Sequence, residues 1–397
     1  MPVRRCSSTP SSHARARCWP RRGSRASIAA VARCASRYRR IFVPGRRASC
    51  SASPTSSATS APCGRRSMSS IEPQRIDVHA HALTPAYRNA LQDAGIHLIG
   101  GIPVPDWSPA LALQFMDAHG IATQMLSISD PGADFLAAEP ATALARTVND
   151  ELAAIVSEHP QRFGGFAVLS LQDVDGARAE AIRALDELGL DGVALLSSIG
   201  GRYLGDPAFE PLLAELDARN AWVFVHPTAV AADARPEYAI PSFVAEYPFD
   251  TTRTIISLLF NGTFDRHPGI RWHLAHGGGT VPMLRKRLDT LATYAPLAAD
   301  VLGLPPGSKA LTPDSCDRAL RAAFFDTALV ADRPALLALD AMCGKRGIVF
   351  GSDWPFAALM YSEDPDPQPA LGGVFSAADR AQIDHRNARE AFPRLGA

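Results

Sequence analysis

Long apolar runs are missing from this chain. No stretch of 18 or more uninterrupted apolar residues occurs in its 397 residues, which excludes a membrane-spanning helix. Lysine is almost missing: three (Lys286, Lys309, Lys345) stand against 37 arginines, the signature of a GC-rich coding sequence. Acidic residues are missing from residues 1–67, which hold 15 Arg and no Lys, Asp or Glu. Cysteine is scarce beyond that segment. Five of the seven (Cys6, Cys18, Cys34, Cys50, Cys63) fall inside it, and only Cys316 and Cys343 remain in the following 330 residues. That excludes a disulfide scaffold and fits a reduced, cytoplasmic protein.

What is present is divided by position. Residues 68–397 carry 25 basic and 40 acidic residues, a net of −15, so the neutral total joins a +15 segment to a −15 body. An acidic body argues against a nucleic-acid partner, because phosphate binding needs a basic surface. Apolar residues make up 47% of the chain, enough for a large buried core, so wholesale disorder is excluded. Three readings of residues 1–67 compete: an Arg- and Ser-rich transit peptide, a basic tail for an anionic surface, or in-frame upstream sequence. The coding bias favours the third. Residues 1–67 are then a disordered Arg/Ser/Ala/Pro-rich segment outside the working protein, and 68–397 form the functional domain.

From Arg75 onward, short apolar runs alternate with amphipathic stretches. Strands are expected at Arg75–His81, Ala122–Ser129, Phe163–Ser170, Gly192–Leu196, Trp222–His226, Ile270–Ala275, Ala322–Asp326 and Gly347–Asp353. Helices are expected at Ser108–His119, Ala141–His159, Val174–Leu188, Pro207–Asn220 and Pro334–Met342, with Ser108-Pro109 as a cap and first turn. Gly120 and Gly189 fall just past helix ends, where a left-handed residue is wanted. Eight strands alternating with helices over about 280 residues predict an α/β fold, a closed (β/α)8 TIM barrel, with an open doubly wound sheet as the alternative. In such a barrel, chemistry sits at the C-terminal ends of the strands.

Those ends carry a selected set of side chains. The first strand ends Asp77-Val78-His79-Ala80-His81, and residues two apart on a strand point the same way. The fifth ends Val225-His226-Pro227, the sixth leads into His276-Gly277-Gly278-Gly279, and the eighth ends Gly351-Ser352-Asp353-Trp354-Pro355. Imidazoles and a carboxylate converging on one barrel mouth suit Zn2+ or a related divalent metal with an open position. His273, three residues before His276, is expected to face away and to serve packing or hydrogen bonding.

This pattern resembles the amidohydrolase superfamily and, within it, the metal-dependent decarboxylases acting on aminocarboxymuconate semialdehyde, 6-methylsalicylate and γ-resorcylate. The resemblance runs from about Ile76 to Arg394 and includes Pro105-Asp106-Trp107-Ser108, Tyr247–Arg253, Phe325-Asp326-Thr327-Ala328 and Asn387-Ala388. It implies metal ligation by His79, His81, His226 and Asp353, with His276 as the acid/base beside the metal. Dinuclear members bridge two metals through a lysine ending the fourth strand. That strand here reads Leu190–Ser198 without a lysine, so one metal is expected. His79, where γ-resorcylate enzymes often carry Glu, leans toward the aminocarboxymuconate and 6-methylsalicylate side.

The expected function is a metal-dependent decarboxylase of a small aromatic or dienoic acid, a carboxy-lyase. A mononuclear hydrolase of a lactone or a C–C bond on the same barrel is the alternative. Zinc is the expected ion, with manganese next. His276 and Asp353 are the candidate proton carriers, His276 being favoured because imidazole chemistry operates near neutral pH. Arg253 is a candidate for the substrate carboxylate. Trp107, Phe249 and Trp354, with Tyr247 and Phe356, are candidates for an aromatic wall, and Leu83–Trp107 for a lid. The expected partner is a small carboxylic acid, with neither nucleic acid nor membrane, and the resemblance implies a homodimer or higher homo-oligomer.

Overall fold

The computed structural model of the chain describes residues 74–228, 240–361 and 364–395. The described residues belong to one compact unit, Met68–Ala397. The expectation for residues 1–67 lies outside the described residues.

Eight parallel strands form one sheet in sequence order: β1 (Arg75–His81), β2 (Ile121–Ser127), β3 (Phe163–Val168), β4 (Gly192–Leu196), β5 (Trp222–His226), β6 (Arg271–Leu274), β7 (Phe324–Asp326) and β8 (Ile348–Val349). Irregular bonds beyond β8 bring its end back to β1. Val78 N–H donates to Phe350 O (3.0 Å), Asp353 N–H to His79 O (2.7 Å) and His81 N–H to Trp354 O (2.8 Å). The result is a (β/α)8 TIM barrel. Runs such as Trp222-Val-Phe-Val-His226 are buried throughout, as strands covered on both faces require.

Helices α1 (Pro85–Asp93) and α2 (Pro109–Ala118) follow β1. Helices α3 (Ala138–Glu158), α4 (Val174–Ile182) and α5 (Glu210–Ala218) follow β2, β3 and β4. Then come α6 (Glu246–Phe260) after β5, α7 (Val281–Leu302) and α8 (Pro313–Ala322) after β6, and α9 (Arg333–Cys343) after β7. Their starts are chemically marked. Ser108, Asp173, Thr312 and Asp332 each accept a backbone N–H of the first turn, an arrangement worth about 1 kcal/mol apiece. Gly120 and Gly189 adopt the expected left-handed conformation.

The barrel interior is apolar at its lower end and polar at its upper end. Phe166, Trp222 and Phe392 pack together below, Phe392 arriving from the C-terminal segment with its ring 4.7 Å from that of Trp222. The histidines lie above. Packing one end of the barrel with aromatic rings leaves the other as the place where polar groups converge.

Three expectations change. The eighth strand is two residues long rather than seven: Lys345–Gly347 form a 3-10 turn before it, and Phe350 N–H just beyond it donates to Ile383 O (3.1 Å) instead of to β7. The seventh starts at Phe324, since α8 continues to Ala322. Leu83–Trp107 is no open loop: it holds α1 and a hairpin pairing Leu98–Ile99 with Ile102–Pro103. Gly100 of that hairpin accepts from Phe243 N–H (3.2 Å) and leaves no room for a side chain against the Tyr247 hydroxyl.

Candidate metal centre

Alternation along β1 sends His79 and His81 to one place. Both are fully buried, and their Nε2 atoms lie 3.1 Å apart. Two imidazole lone pairs at that distance repel unless a proton or cation sits between them. Ligand atoms about 2.0–2.1 Å from one ion would be separated by about 2.9–3.4 Å, so the observed spacing fits a shared ion.

The tautomers can be deduced. His226 Nδ1 faces Pro227 O at 2.7 Å, and a carbonyl only accepts, so Nδ1 carries the proton. Ser127 Oγ donates to Ala80 O, so it accepts from His81 Nδ1 at 3.0 Å. His79 Nδ1 donates to Asp326 Oδ2 at 2.9 Å. All three Nδ1 atoms are thus occupied as donors, and their Nε2 lone pairs point inward, the orientation expected of metal-binding histidines.

Asp353 completes the cluster. Its Oδ1 lies 3.1 Å from His81 Nε2 and 3.5 Å from His79 Nε2, and its Oδ2 lies 3.5 Å from His276 Nε2. Asp77 fixes this carboxylate from behind by accepting from Ser352 N–H (2.9 Å), Ser352 Oγ–H (2.6 Å) and Gln124 Nε2 (2.9 Å). His276 lies beyond the end of β6 in a left-handed conformation (φ 53°), and neither of its ring nitrogens has a hydrogen-bond partner. Such non-glycine conformations are costly, and two of the four in the described residues belong to this cluster.

Ligand atoms of His79, His226, His276 and Asp353 all fall within 4.8 Å of one another, and His81 adjoins the group through His79 and Asp353. The structure therefore brings together all five residues singled out for metal or acid/base work, with His276 inside the compact four. Electrostatics follow from that crowding. Burial opposes charge on His79, yet the Asp326 and Asp353 carboxylates hold it up to about 10. Burial pushes His81 down to about 4 and His226 well below the imidazole range. Burial opposes ionisation of Asp353, but His276, His79 and His81 hold it well below the usual carboxylate range. Burial raises Asp77 to about 6 despite the bonds it accepts.

The substrate candidates are scattered. Arg253 is exposed on α6 and interacts with the Tyr203 hydroxyl, which donates to Asp250 Oδ1 (2.9 Å). Phe249 is 46% exposed. Trp107 is buried in the core, and Trp354 stacks on Phe115 at 5.3 Å. Tyr247 and Phe356 do reach the cluster, edge-on to His226 (5.8 Å) and His81 (5.7 Å).

One central residue escaped the sequence reading. Asp326, at the end of β7, accepts from His79 Nδ1 and His273 Nε2 (2.8 Å) on one oxygen. Its other oxygen takes the backbone N–H groups of His276 (3.1 Å) and Ala328 (3.0 Å). Its position at a strand's carboxyl end was the available signal. His273 is a buried hydrogen-bonded residue, stacked on Phe224 at 4.5 Å.

Comparison with known proteins gives a consistent picture. The amidohydrolase family profile matches residues 76–394. The chain is 38% identical over 299 residues to the decarboxylase yanB of Aspergillus niger, covering 72% of this chain and 78% of that one. It is 38% identical over 289 residues to the 6-methylsalicylic acid decarboxylase acuB of Aspergillus aculeatus, covering 71% and 84%. Among solved structures, a dihydroxybenzoic acid decarboxylase from Polaromonas, with bound manganese and 2-nitroresorcinol, superposes with a TM-score of 0.67. That match has 23% identity over 81% of this chain and 97% of the other, and speaks to the fold.

Proposed function

The chain belongs to the amidohydrolase family, and from that premise we propose that it is a metal-dependent carboxy-lyase releasing CO2 from a small hydroxybenzoic acid of the 6-methylsalicylate type. One observation carries the reading. Three histidines have their Nδ1 atoms committed outward and their Nε2 atoms turned, with Asp353, toward one point beside the ring of His276.

His79, His81, His226 and Asp353 would hold one divalent ion; a donor set this rich in imidazole favours zinc, and manganese is the ion named for the Polaromonas neighbour. Such an ion supplies Lewis acidity toward the carboxylate and phenolate oxygens of the substrate. Tyr247 and Phe356, set against His226 and His81, confine a planar ring next to the cluster. His276 Nε2 delivers a proton to the ring carbon that bears the carboxylate. The C–C bond then breaks, its electron pair returns to the ring, CO2 leaves, and His276 takes a proton back from water. His276 suits this work because neither of its ring nitrogens is tied up in a protein hydrogen bond, its Nε2 standing 3.5 Å from Asp353 Oδ2, whereas Asp353 is also engaged by His79 and His81. Asp326 is a positioning residue, fixing the His79 tautomer and the His276 backbone together.

The assay is CO2 release from 6-methylsalicylate by the purified full chain, with the phenol product identified by mass. The account expects 3-methylphenol and CO2 in equal amounts, abolished by a chelator and restored by zinc or manganese. Turnover untouched by chelation, or hydrolysis of a lactone with no CO2 from any hydroxybenzoate, would overturn it. The family resemblance extends this proposal to a homo-oligomer.

A further inference from the structure

His276 opens a turn of four successive residues with positive φ: His276 (53°), Gly277 (60°), Gly278 (73°) and Gly279 (64°). Three glycines in a row give a chain its widest conformational freedom, so the order of this turn has to come from its ends. The ring of His276 does not supply it. Neither nitrogen is tied up in a protein hydrogen bond, and Nε2 stands 3.5 Å from Asp353 Oδ2. The entry end is fixed by Asp326, whose Oδ1 accepts the His276 N–H (3.1 Å). The exit end is fixed from α6. Thr280 N–H donates to Thr252 Oγ1 (2.8 Å), and Thr252 Oγ1 donates to Pro248 O (2.7 Å). A carbonyl only accepts, so the single hydroxyl proton of Thr252 is committed there, and Thr280 Oγ1 donates to Thr252 Oγ1 across 2.9 Å. Thr280 occupies the N-cap of α7, yet its side chain accepts no N–H of that helix. Both its backbone and its hydroxyl are turned to Thr252 instead.

We propose that Thr252 is a positioning residue for the proton transfer: through Thr280 it holds the exit end of the glycine turn and so sets where His276 Nε2 stands. Thr252 is 5% exposed, so bulk water does not replace a bond lost there. Displacing a reacting group by about 1 Å costs up to about 100-fold in rate, and a turn of three glycines gives way easily once one end is released. The inference rests on the reading of His276 as the proton carrier and adds the residue that aims it.

Three variants of the full chain test it. T252V removes the hydroxyl and T252S keeps it. T123V is the control: Thr123 on β2 is equally buried (5% exposed) and donates to Gln161 O (2.9 Å). Both valine variants are expected to melt at a lower temperature than the wild type. T252V alone is expected to lose ~10- to 100-fold in kcat, with KM and metal content within about twofold of wild type. T252S is expected to restore kcat to within about threefold. If T252V does not fold, T252A removes the same hydroxyl and is expected to show the same loss. A second readout needs no turnover. In the metal-free protein the His276 Cε1–H nuclear magnetic resonance signal, assigned by its absence from H276Q, is expected to move in T252V and to stay in T252S and T123V. Wild-type kcat in T252V, an equal loss in T252S or T123V, or an unmoved signal in T252V overturns the proposal. A wild type that releases no CO2 overturns the function proposed above, and the ring signal alone then decides the inference.

Discussion

Replacing Asp326 with Asn changes one oxygen for an NH2 group and little else, and the structure dictates which oxygen. The Oδ1 side faces the N–H groups of His276 and Ala328, which cannot rotate away, so the amide oxygen must stay there. The NH2 then faces His79 Nδ1 and His273 Nε2, both of which point protons at it in the native protein. His79 can relieve the conflict only by moving its proton to Nε2, the atom turned toward the metal cluster. Changes to such supporting partners typically cost 10- to 100-fold in metal affinity, or about 1.4–2.7 kcal/mol. The buried donor-donor contact at His273 should cost a further ~1–3 kcal/mol of folding stability. Competition against a chelator gives the affinity, and thermal unfolding of the metal-free protein gives the stability. Metal binding by D326N within threefold of wild type would refute the tautomer argument, because the substitution leaves shape and volume nearly unchanged.

Three further outcomes are expected. H276Q should retain its metal, since His79, His81, His226 and Asp353 remain, while kcat falls by ~100- to 10,000-fold; a mutant with full turnover would remove His276 from the proton transfer. In the metal-free protein His79 is held up to about 10, so below that pH a proton competes with the metal. Affinity should therefore rise as pH rises, by up to about tenfold per unit between pH 6 and 9, with about one proton released at neutral pH. Calorimetry in buffers of different ionisation enthalpy counts that proton. Gly279 (φ 64°) follows the His276 turn, and a Cβ there would run into the Pro248 carbonyl oxygen. G279A should lose about 1–3 kcal/mol of stability, read as a lowered melting temperature.

The sequence was most legible where a local pattern determines structure. The bounds of β1, β4 and β5 follow directly from their apolar runs, and Ser108-Pro109 marks the start of α2. The histidines were readable because His-x-His alternation and strand-end placement are local facts. Arg253 was less legible because a side chain's direction depends on helix phase. On α6, Asp250, Thr251 and Thr254 face inward, and Arg253 turns outward. Asp326 stayed hidden for another reason: its partners at 79, 273 and 276 become neighbours only when the barrel closes. The two-residue β8 could not be foreseen either, because Phe350 N–H leaves the ladder for Ile383 O, a partner the chain supplies only when its C-terminal segment packs against the barrel.

The central claim is that one metal, gathered by His79, His81, His226 and Asp353, supports loss of CO2. Its most direct test is a titration of metal-free full-length protein with zinc, and separately with manganese, following CO2 release from 6-methylsalicylate at each addition. The account predicts a rate that climbs linearly and breaks at about one equivalent per chain. A rate independent of added metal, or a break at two equivalents, would contradict it.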